Sequence, residues 1–165
     1  MEERIKSVEL TIIGTISTSH ASIEDMPIQS IGAQEQQGVA EIYQEYAEGL
    51  ADLDGFSHII LLYHFHQQKD YSLRVKPFMD DAEHGIFATR SPKRPAAIGM
   101  SIVKIIKIEG TKIYFEGADM LDGTPLFDIK PFFRTFDNRE DAVSGWLDTK
   151  DEEEIKQVRS DRRFA

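Results

Sequence analysis

Ile102-Val-Lys-Ile-Ile-Lys-Ile-Glu-Gly-Thr-Lys-Ile-Tyr-Phe115 decides the fold. Its arms, Ile102–Ile108 and Thr111–Phe115, are dense in β-branched and aromatic residues, and Glu109-Gly110 between them supplies a glycine near a reversal, so the stretch reads as a β-hairpin. Moving outward, Ile59-Ile-Leu-Leu-Tyr63 is an apolar run long enough only for a buried strand. Val8–Ile16 reads as a strand with a bulge near Ile13-Gly14. Val39–Tyr46 is ambiguous, with Val39, Ile42, Tyr43 and Tyr46 fitting a helical stripe. Gly49–Gly55 is a short helical or 3₁₀ connection closed by glycine. Thr149-Lys-Asp-Glu152 has capping-box spacing, and Arg159, Arg162 and Arg163 suit a helix C-terminus, which predicts a short surface helix over 150–160 in a C-terminal tail of about 148–165. Many short strands, few helices and Gly/Pro-rich turns define a mainly β chain, an antiparallel barrel or sandwich. No Gly-rich dinucleotide fingerprint follows a strand.

Composition sets the outer limits. A length of 165 residues fits one domain, 1–165, and suffices to bury a core. The hydrophobic fraction is 41%, and no apolar run reaches the roughly 20 residues of a membrane helix, so a soluble protein without a membrane partner is expected. The charged start Met1-Glu-Glu-Arg-Ile-Lys6 is unlike a signal peptide, and the absence of cysteine excludes disulfides, thiolate zinc sites and a cysteine nucleophile; a cytoplasmic location is the expectation. The formal net charge of −10 opposes binding to nucleic acid. Its distribution weakens that objection, because His84–Lys112 carries six cations against Glu109 alone, a local net of +5 that leaves −15 elsewhere.

Chemistry concentrates in His84–Ser101. Pro92 and Pro95 fix φ and bias their predecessors away from helix, so Thr89–Ala97 is expected to be a stiff extended turn between Gly85 and Gly99. Arg90, Lys93 and Arg94 there suit a carboxylate or phosphate, though a solvated basic turn is the bland alternative. Residues 17–38 form a long connection without sustained period, and Tyr71–Glu83 a surface excursion. Period two places His58, His64 and His66 on one face with Ile60 and Leu62. Two histidines at i, i+2 can bind a metal, but the sequence supplies no further ligands nearby, and core or pocket-lining histidines weigh more; no metal is assigned. Asp122-Gly-Thr-Pro125 is a turn by composition, in which Gly123 would let a ligand approach the backbone.

Three ordered blocks carry a family resemblance. Gly85-Ile-Phe-Ala-Thr-Arg-Ser-Pro-Lys-Arg-Pro95 with Ile98-Gly-Met-Ser101, Gly55-Phe-Ser-His58 running into His64-Phe-His-Gln67, and Asp122–Pro125 with Asp128-Ile-Lys-Pro131 resemble the TrmO family of tRNA methyltransferases, a likeness spanning Thr11 to Pro131. One departure is Ala96-Ala97, where the family commonly has Asn-Pro or Asn-Ala. The resemblance implies a single β-barrel domain, a strand for Val39–Tyr46, S-adenosyl-L-methionine as cofactor and a pocket built partly at a homodimer interface. The implied methyl acceptor is N6 of threonylcarbamoyladenosine beside the anticodon of tRNA. Carried over onto this chain, the cofactor residues are Gln29, Ser30, His66, Gln67, Arg90, Met100, Asp122, Gly123, Thr124 and Pro125, with Lys93 and Arg94 offered to tRNA. Arg90 has the planar fork for a carboxylate of cofactor or substrate. Asp128 and His66 are candidate bases by residue type only, and no catalytic residue is assigned. Longer members of the family carry a further C-terminal part. A non-catalytic small-molecule or RNA-binding barrel, and a metal enzyme using His64 and His66, are the other readings.

Overall fold

The computed structural model describes residues 3–21 and 36–150. Eight strands follow one another: β1 (Gly14–Ser17), β2 (Gln37–Ile42), β3 (His58–His64), β4 (Arg74–Val75), β5 (His84–Gly85), β6 (Ile98–Glu109), β7 (Lys112–Glu116) and β8 (Thr124–Pro131). Six of them close into a barrel in the order β1-β2-β7-β6-β3-β8, every pair antiparallel, while β4 and β5 form a separate two-stranded ribbon. Of the barrel and sandwich expected from composition, closure selects the barrel, which leaves its strands no open edge.

The hairpin forms as expected from β6 and β7, reversed at Gly110 with φ +59°, where glycine carries no side-chain penalty. Period two governs the interior. Ile16 from β1, Ile59 and Leu61 from β3, Val103 from β6, Ile113 and Phe115 from β7 and Leu126 from β8 are fully buried, each aliphatic or aromatic side chain contributing about 1.5–3 kcal/mol by leaving water. Gly38 on β2 makes room for the largest of them, because a Cβ there would stand 2.6 Å from the Phe115 ring.

Three expectations need correction. Val8–Ile13 is not strand: β1 begins at Gly14, and Val8 is 80% exposed. β1 approaches β2 so closely at Gly14 that a Cβ would meet the Glu41 carbonyl at 2.2 Å, and pairing extends outward no further than the backbone bonds of Ile13 to Leu126 and Tyr43. β2 likewise stops at Ile42, and Gln44–Leu50 turns as a 3₁₀ helix that takes in Tyr46, so the strand expected to end near Tyr46 is four residues shorter. The apolar run of β3 is buried on one face only, for Ile60 and Leu62 alternate outward and remain half-buried. Helix is scarce: α1 (Arg134–Asp137) is one turn, and Gly145–Thr149 is 3₁₀. The helix expected over 150–160 lies outside the described residues; Thr149, at its expected cap, donates its hydroxyl back to the Trp146 carbonyl at 3.1 Å.

Registers define two rims. At the upper rim β1 ends at Ser17, β2 starts opposite it, β3 ends at His64 beside the start of β6, and β7 leaves into the Gly117–Gly123 connection that returns as β8. The lower rim holds the 3₁₀ connection 44–55, the Gly110 turn and the exit of β8.

Candidate active site at the upper rim

Every described stretch singled out in the sequence as a cofactor or RNA contact reaches the upper rim: His66-Gln67 after β3, Arg90–Arg94 before β6, Met100 near the start of β6, and Asp122–Pro125 leading into β8. Gln29 and Ser30 fall outside the described residues, in the connection between Ser17 and Gln37. The buried polar residues Thr89, Ser91, Ser101 and Thr124 gather at this end too.

The loop before β6 is folded around Arg94. Its Nη1 donates to the carbonyls of Thr89 at 2.7 Å, Ile86 at 3.2 Å and Ser91 at 3.3 Å, and partial burial lowers the guanidinium's pKa. Arg94 Nη1 is thus engaged by the loop's own backbone. Ile86–Ala88 make one 3₁₀ turn pinned by Ile86 against Val75 and Phe78; beyond it the chain runs extended at Thr89, as expected, and Ala97 takes φ +46°. Ala97 accepts from Phe65 N–H at 2.9 Å, so the loop is tied to the residue before His66-Gln67. Below it His84 Nε2 donates to Asp80 Oδ2 at 2.8 Å and the ring stacks on Trp146 with centroids 4.6 Å apart, while Trp146 Nε1 donates to the Ala88 carbonyl at 2.8 Å. That bond to His84, reinforced by the Ala82 backbone N–H, lowers the Asp80 pKa.

Asp122–Pro125 is a turn with Gly123 at φ +77°. Its backbone donors are already engaged, Asp122 N–H on the His20 carbonyl at 2.8 Å and Gly123 N–H on that of Ile16 at 2.9 Å, while Asp122 Oδ1 accepts from Thr18 N–H at 3.0 Å. Thr124 is buried and donates to the Leu121 carbonyl at 2.7 Å. The turn therefore joins β1's exit to β8 as well as facing the rim.

Met100 points outward, 39% exposed, in an apolar stripe with Ile98 and Ile102; across the ladder His64, Leu62 and Ile60 of β3 stand opposite Ile98, Met100 and Ile102. His58 and His64, with Ile60 and Leu62 between them, share the half-buried outer face of β3 as expected, whereas His66 lies in the turn beyond the strand. Among the described residues no three His, Asp or Glu side chains stand close enough to hold a metal ion. Asp128 is ion-paired with Lys130 at 2.8 Å on the outer wall.

Sequence reasoning missed the most unusual group of the rim. Tyr63 and Ser101 point into the barrel from β3 and β6; the Tyr63 hydroxyl lies 2.8 Å from Ser101 Oγ, and Ser101 donates to Asp119 Oδ1 at 2.6 Å. Gly99 allows this, since a Cβ there would stand 2.2 Å from the Tyr63 ring. Desolvation pushes the Asp119 carboxyl up to about 7, against the opposing pull of the Ser101 hydrogen bond and the Arg90 charge. Burial, then the Asp119 charge, raises Tyr63 well above an ordinary phenol. Arg90 is exposed, yet its field reaches both. At the lower rim, by contrast, a cavity of about 320 Å³ is lined by apolar groups such as Ile13, Ile42, Leu50, Phe56 and Ile129.

A closed antiparallel barrel with its buried polar side chains at one mouth defines the class as a small β-barrel domain. Comparison narrows the class. Residues 15–138 match the family profile of the tRNA-methyltransferase O N-terminal domain. A probable S-adenosyl-L-methionine-binding protein of Pyrococcus abyssi is 44% identical over 92% of this chain and 82% of its own length. The human tRNA (adenine(37)-N6)-methyltransferase is 38% identical over 65% of this chain and 25% of its own. A crystal structure of TrmO from Pseudomonas aeruginosa superposes with TM-score 0.74 at 33% identity, covering 89% of this chain. The chain belongs to the TrmO family. It spans 64% of the Pseudomonas aeruginosa chain and a quarter of the human protein.

Proposed function

We propose that this barrel binds S-adenosyl-L-methionine and methylates tRNA, at N6 of threonylcarbamoyladenosine next to the anticodon. The observation that carries this reading is the convergence of His64–Gln67, Gly85–Ser101 and Asp122–Pro125, one part of each sequence block, on one rim of the barrel. Relatives named as S-adenosyl-L-methionine-binding proteins and as tRNA (adenine(37)-N6)-methyltransferases support it. When bound, the cofactor supplies an electrophilic methyl group. The chain's task is alignment of the acceptor nitrogen with that methyl and its sulfur, the proximity contribution to catalysis. His66-Gln67, Asp122–Pro125, Met100 and, in the β1–β2 connection, Gln29-Ser30 hold the cofactor; Arg90 binds a carboxylate of cofactor or substrate. Lys93, half-buried on a loop otherwise fixed by Arg94, meets phosphate.

The proposed assembly is a homodimer. The exposed stripe Ile98, Met100 and Ile102, flanked by the half-buried Ile60 and Leu62, is an apolar barrel wall of the kind an isologous interface covers, and it carries one of the cofactor residues. No helix among the described residues is long and apolar enough to cross a membrane, and the cytoplasm, where tRNA is found, is the proposed compartment.

The test is direct. Calorimetry with S-adenosyl-L-methionine in chelator-treated buffer, followed by incubation with threonylcarbamoylated tRNA and mass spectrometry of its nucleosides, is expected to show binding and the gain of one methyl group. Binding without methylation selects the non-catalytic barrel, and failure to bind the cofactor overturns the reading.

A further inference from the structure

We propose that Asp119 is the proton acceptor of the methyl transfer, positioned by Ser101 and Tyr63 and balanced by Arg90. The inference rests on the methyltransferase reading and names a residue for a role that Asp128, on the outer wall, does not fill. Asp128 stands on the outer wall, its carboxylate bound to Lys130 at 2.8 Å and to the Ile129 N–H at 2.9 Å. His66 lies in the turn beyond β3.

Asp119 differs from Asp128 in position, and from His66 in being held by a hydrogen bond from a side chain of the barrel interior. It sits in the upper-rim connection Gly117–Gly123, between the Arg90 loop and the Asp122 turn, and so bridges two of the proposed cofactor stretches. The connection is anchored on both sides: Gly117 and Ala118 N–H groups bond the Gln36 carbonyl, Ala118's carbonyl lies 2.9 Å from His20 Nε2, and Met120's accepts from the Thr18 hydroxyl at 2.9 Å. The carboxyl itself is partly buried and fixed by the 2.6 Å bond from Ser101, which in turn meets the buried Tyr63 hydroxyl. The charged and titratable groups around it are Tyr63 from β3, Arg90 from the loop before β6, His20 beyond β1 and Asp122 on its own connection. A desolvated carboxylate with a pKa near 7 has the basicity a general base needs at neutral pH.

In the step proposed, Asp119 takes the N6 proton as the nitrogen's electron pair forms the bond to the methyl carbon. The methyl–sulfur bond breaks with its pair kept by sulfur, so a sulfonium, an N–H and a carboxylate become a thioether, an N-methyl group and a carboxylic acid.

The experiment uses the full chain with threonylcarbamoylated tRNA and three variants, Asp119→Asn, Ser101→Ala and Tyr63→Phe. Single-turnover methylation by the parent is expected to rise with pH through a midpoint near 7, and a ¹³C carboxyl resonance of the protein without ligand should titrate in the same range. Asp119→Asn should abolish that resonance and slow methylation at least 100-fold while leaving S-adenosyl-L-methionine affinity within twofold. Ser101→Ala should move both midpoints upward, since it removes a bond that favours the carboxylate. Tyr63→Phe, which keeps the ring, reports whether a slow Asp119→Asn protein reflects lost packing: Tyr63→Phe is expected to fold and retain cofactor affinity. An Asp119→Asn rate within threefold of the parent, a loss of cofactor affinity matching the loss of rate, or a pH midpoint unmoved by Ser101→Ala would overturn the assignment. A parent that binds cofactor and methylates while any of these holds leaves the methyltransferase reading standing; a parent that does neither ends both.

Discussion

At the scale of single residues, the upper rim depends on two unlike devices. Gly99 is required by space, because the Tyr63 ring occupies the place of its missing Cβ at 2.2 Å. Gly99→Ala must displace a buried ring, so we expect a loss of about 1–3 kcal/mol, as overpacking costs, read as a lower urea midpoint at unchanged slope. Asp119 acts through its proton. Its carboxyl is raised in the folded state from an unfolded value near 4 to about 7, so the native protein binds the extra proton between those values. The resulting stabilisation is fully present below the unfolded pKa and is lost as pH rises through about 7, with a magnitude on the order of a few kcal/mol. Urea melts at pH 5 and pH 8 should therefore show the parent losing more stability than Asp119→Asn over that interval. Equal losses would mean that the carboxyl is solvated.

At the scale of elements, the loop from Ile86 to Ala97 separates two cations that stand side by side in sequence. Arg94 holds three carbonyls of the loop, whereas Lys93 gives the loop only its backbone: its N–H to Ser91 Oγ at 3.4 Å and its carbonyl to Ser72 N–H at 3.2 Å. The two alanine variants should accordingly fail in different ways. Arg94→Ala takes the guanidinium donor from the Thr89 and Ser91 carbonyls, while that of Ile86 keeps the Thr89 N–H and hydroxyl, a loss of roughly 1–3 kcal/mol that should appear as faster amide exchange at Thr89 and Ala97 and weaker cofactor binding. Lys93→Ala should leave both unchanged and flatten the salt dependence of tRNA binding by about 0.7–0.9 in log–log slope, the signature of one lost phosphate contact. An unchanged slope would place the RNA surface elsewhere. The positive stretch 84–112 does not make one basic face: Lys107 is paired with Glu109 at 3.0 Å beside the Tyr114 ring, and Lys112 stands at the tip of the β6–β7 hairpin, at the lower rim away from Arg90.

At the scale of the whole molecule, the exposed apolar wall predicts assembly. Ile102→Glu sets a charge on the β6 stripe without touching the interior, since its neighbours Ser101 and Val103 point inward. Light scattering at micromolar concentration should give a dimer for the parent and a monomer for the variant; a monomeric parent would refute the interface. Local sequence was enough for the strands of the hairpin and for β3, because side-chain alternation and glycine at a reversal act within a few residues of chain, whereas β2 was read as strand only through the family resemblance. It also marked the blocks that meet at the upper rim, since proline, glycine and clustered cations are legible one residue at a time. The limits of β1 and β2 were not legible, for they depend on where the barrel closes: β1 must find β8 more than a hundred residues away, and Gly14 stops at a backbone contact with Glu41. Arg94 reads as a surface charge until its loop folds around it. Asp119 is the clearest case. In the sequence Gly117-Ala-Asp-Met120 it is an ordinary loop acid, and only the fold brings Ser101, 18 residues away, and Tyr63, 38 residues from Ser101, to a desolvated carboxyl. Sequence determined which residues alternate, turn and carry charge; the closed barrel decided which of them lose water together, and desolvation is what gives an acid its chemistry.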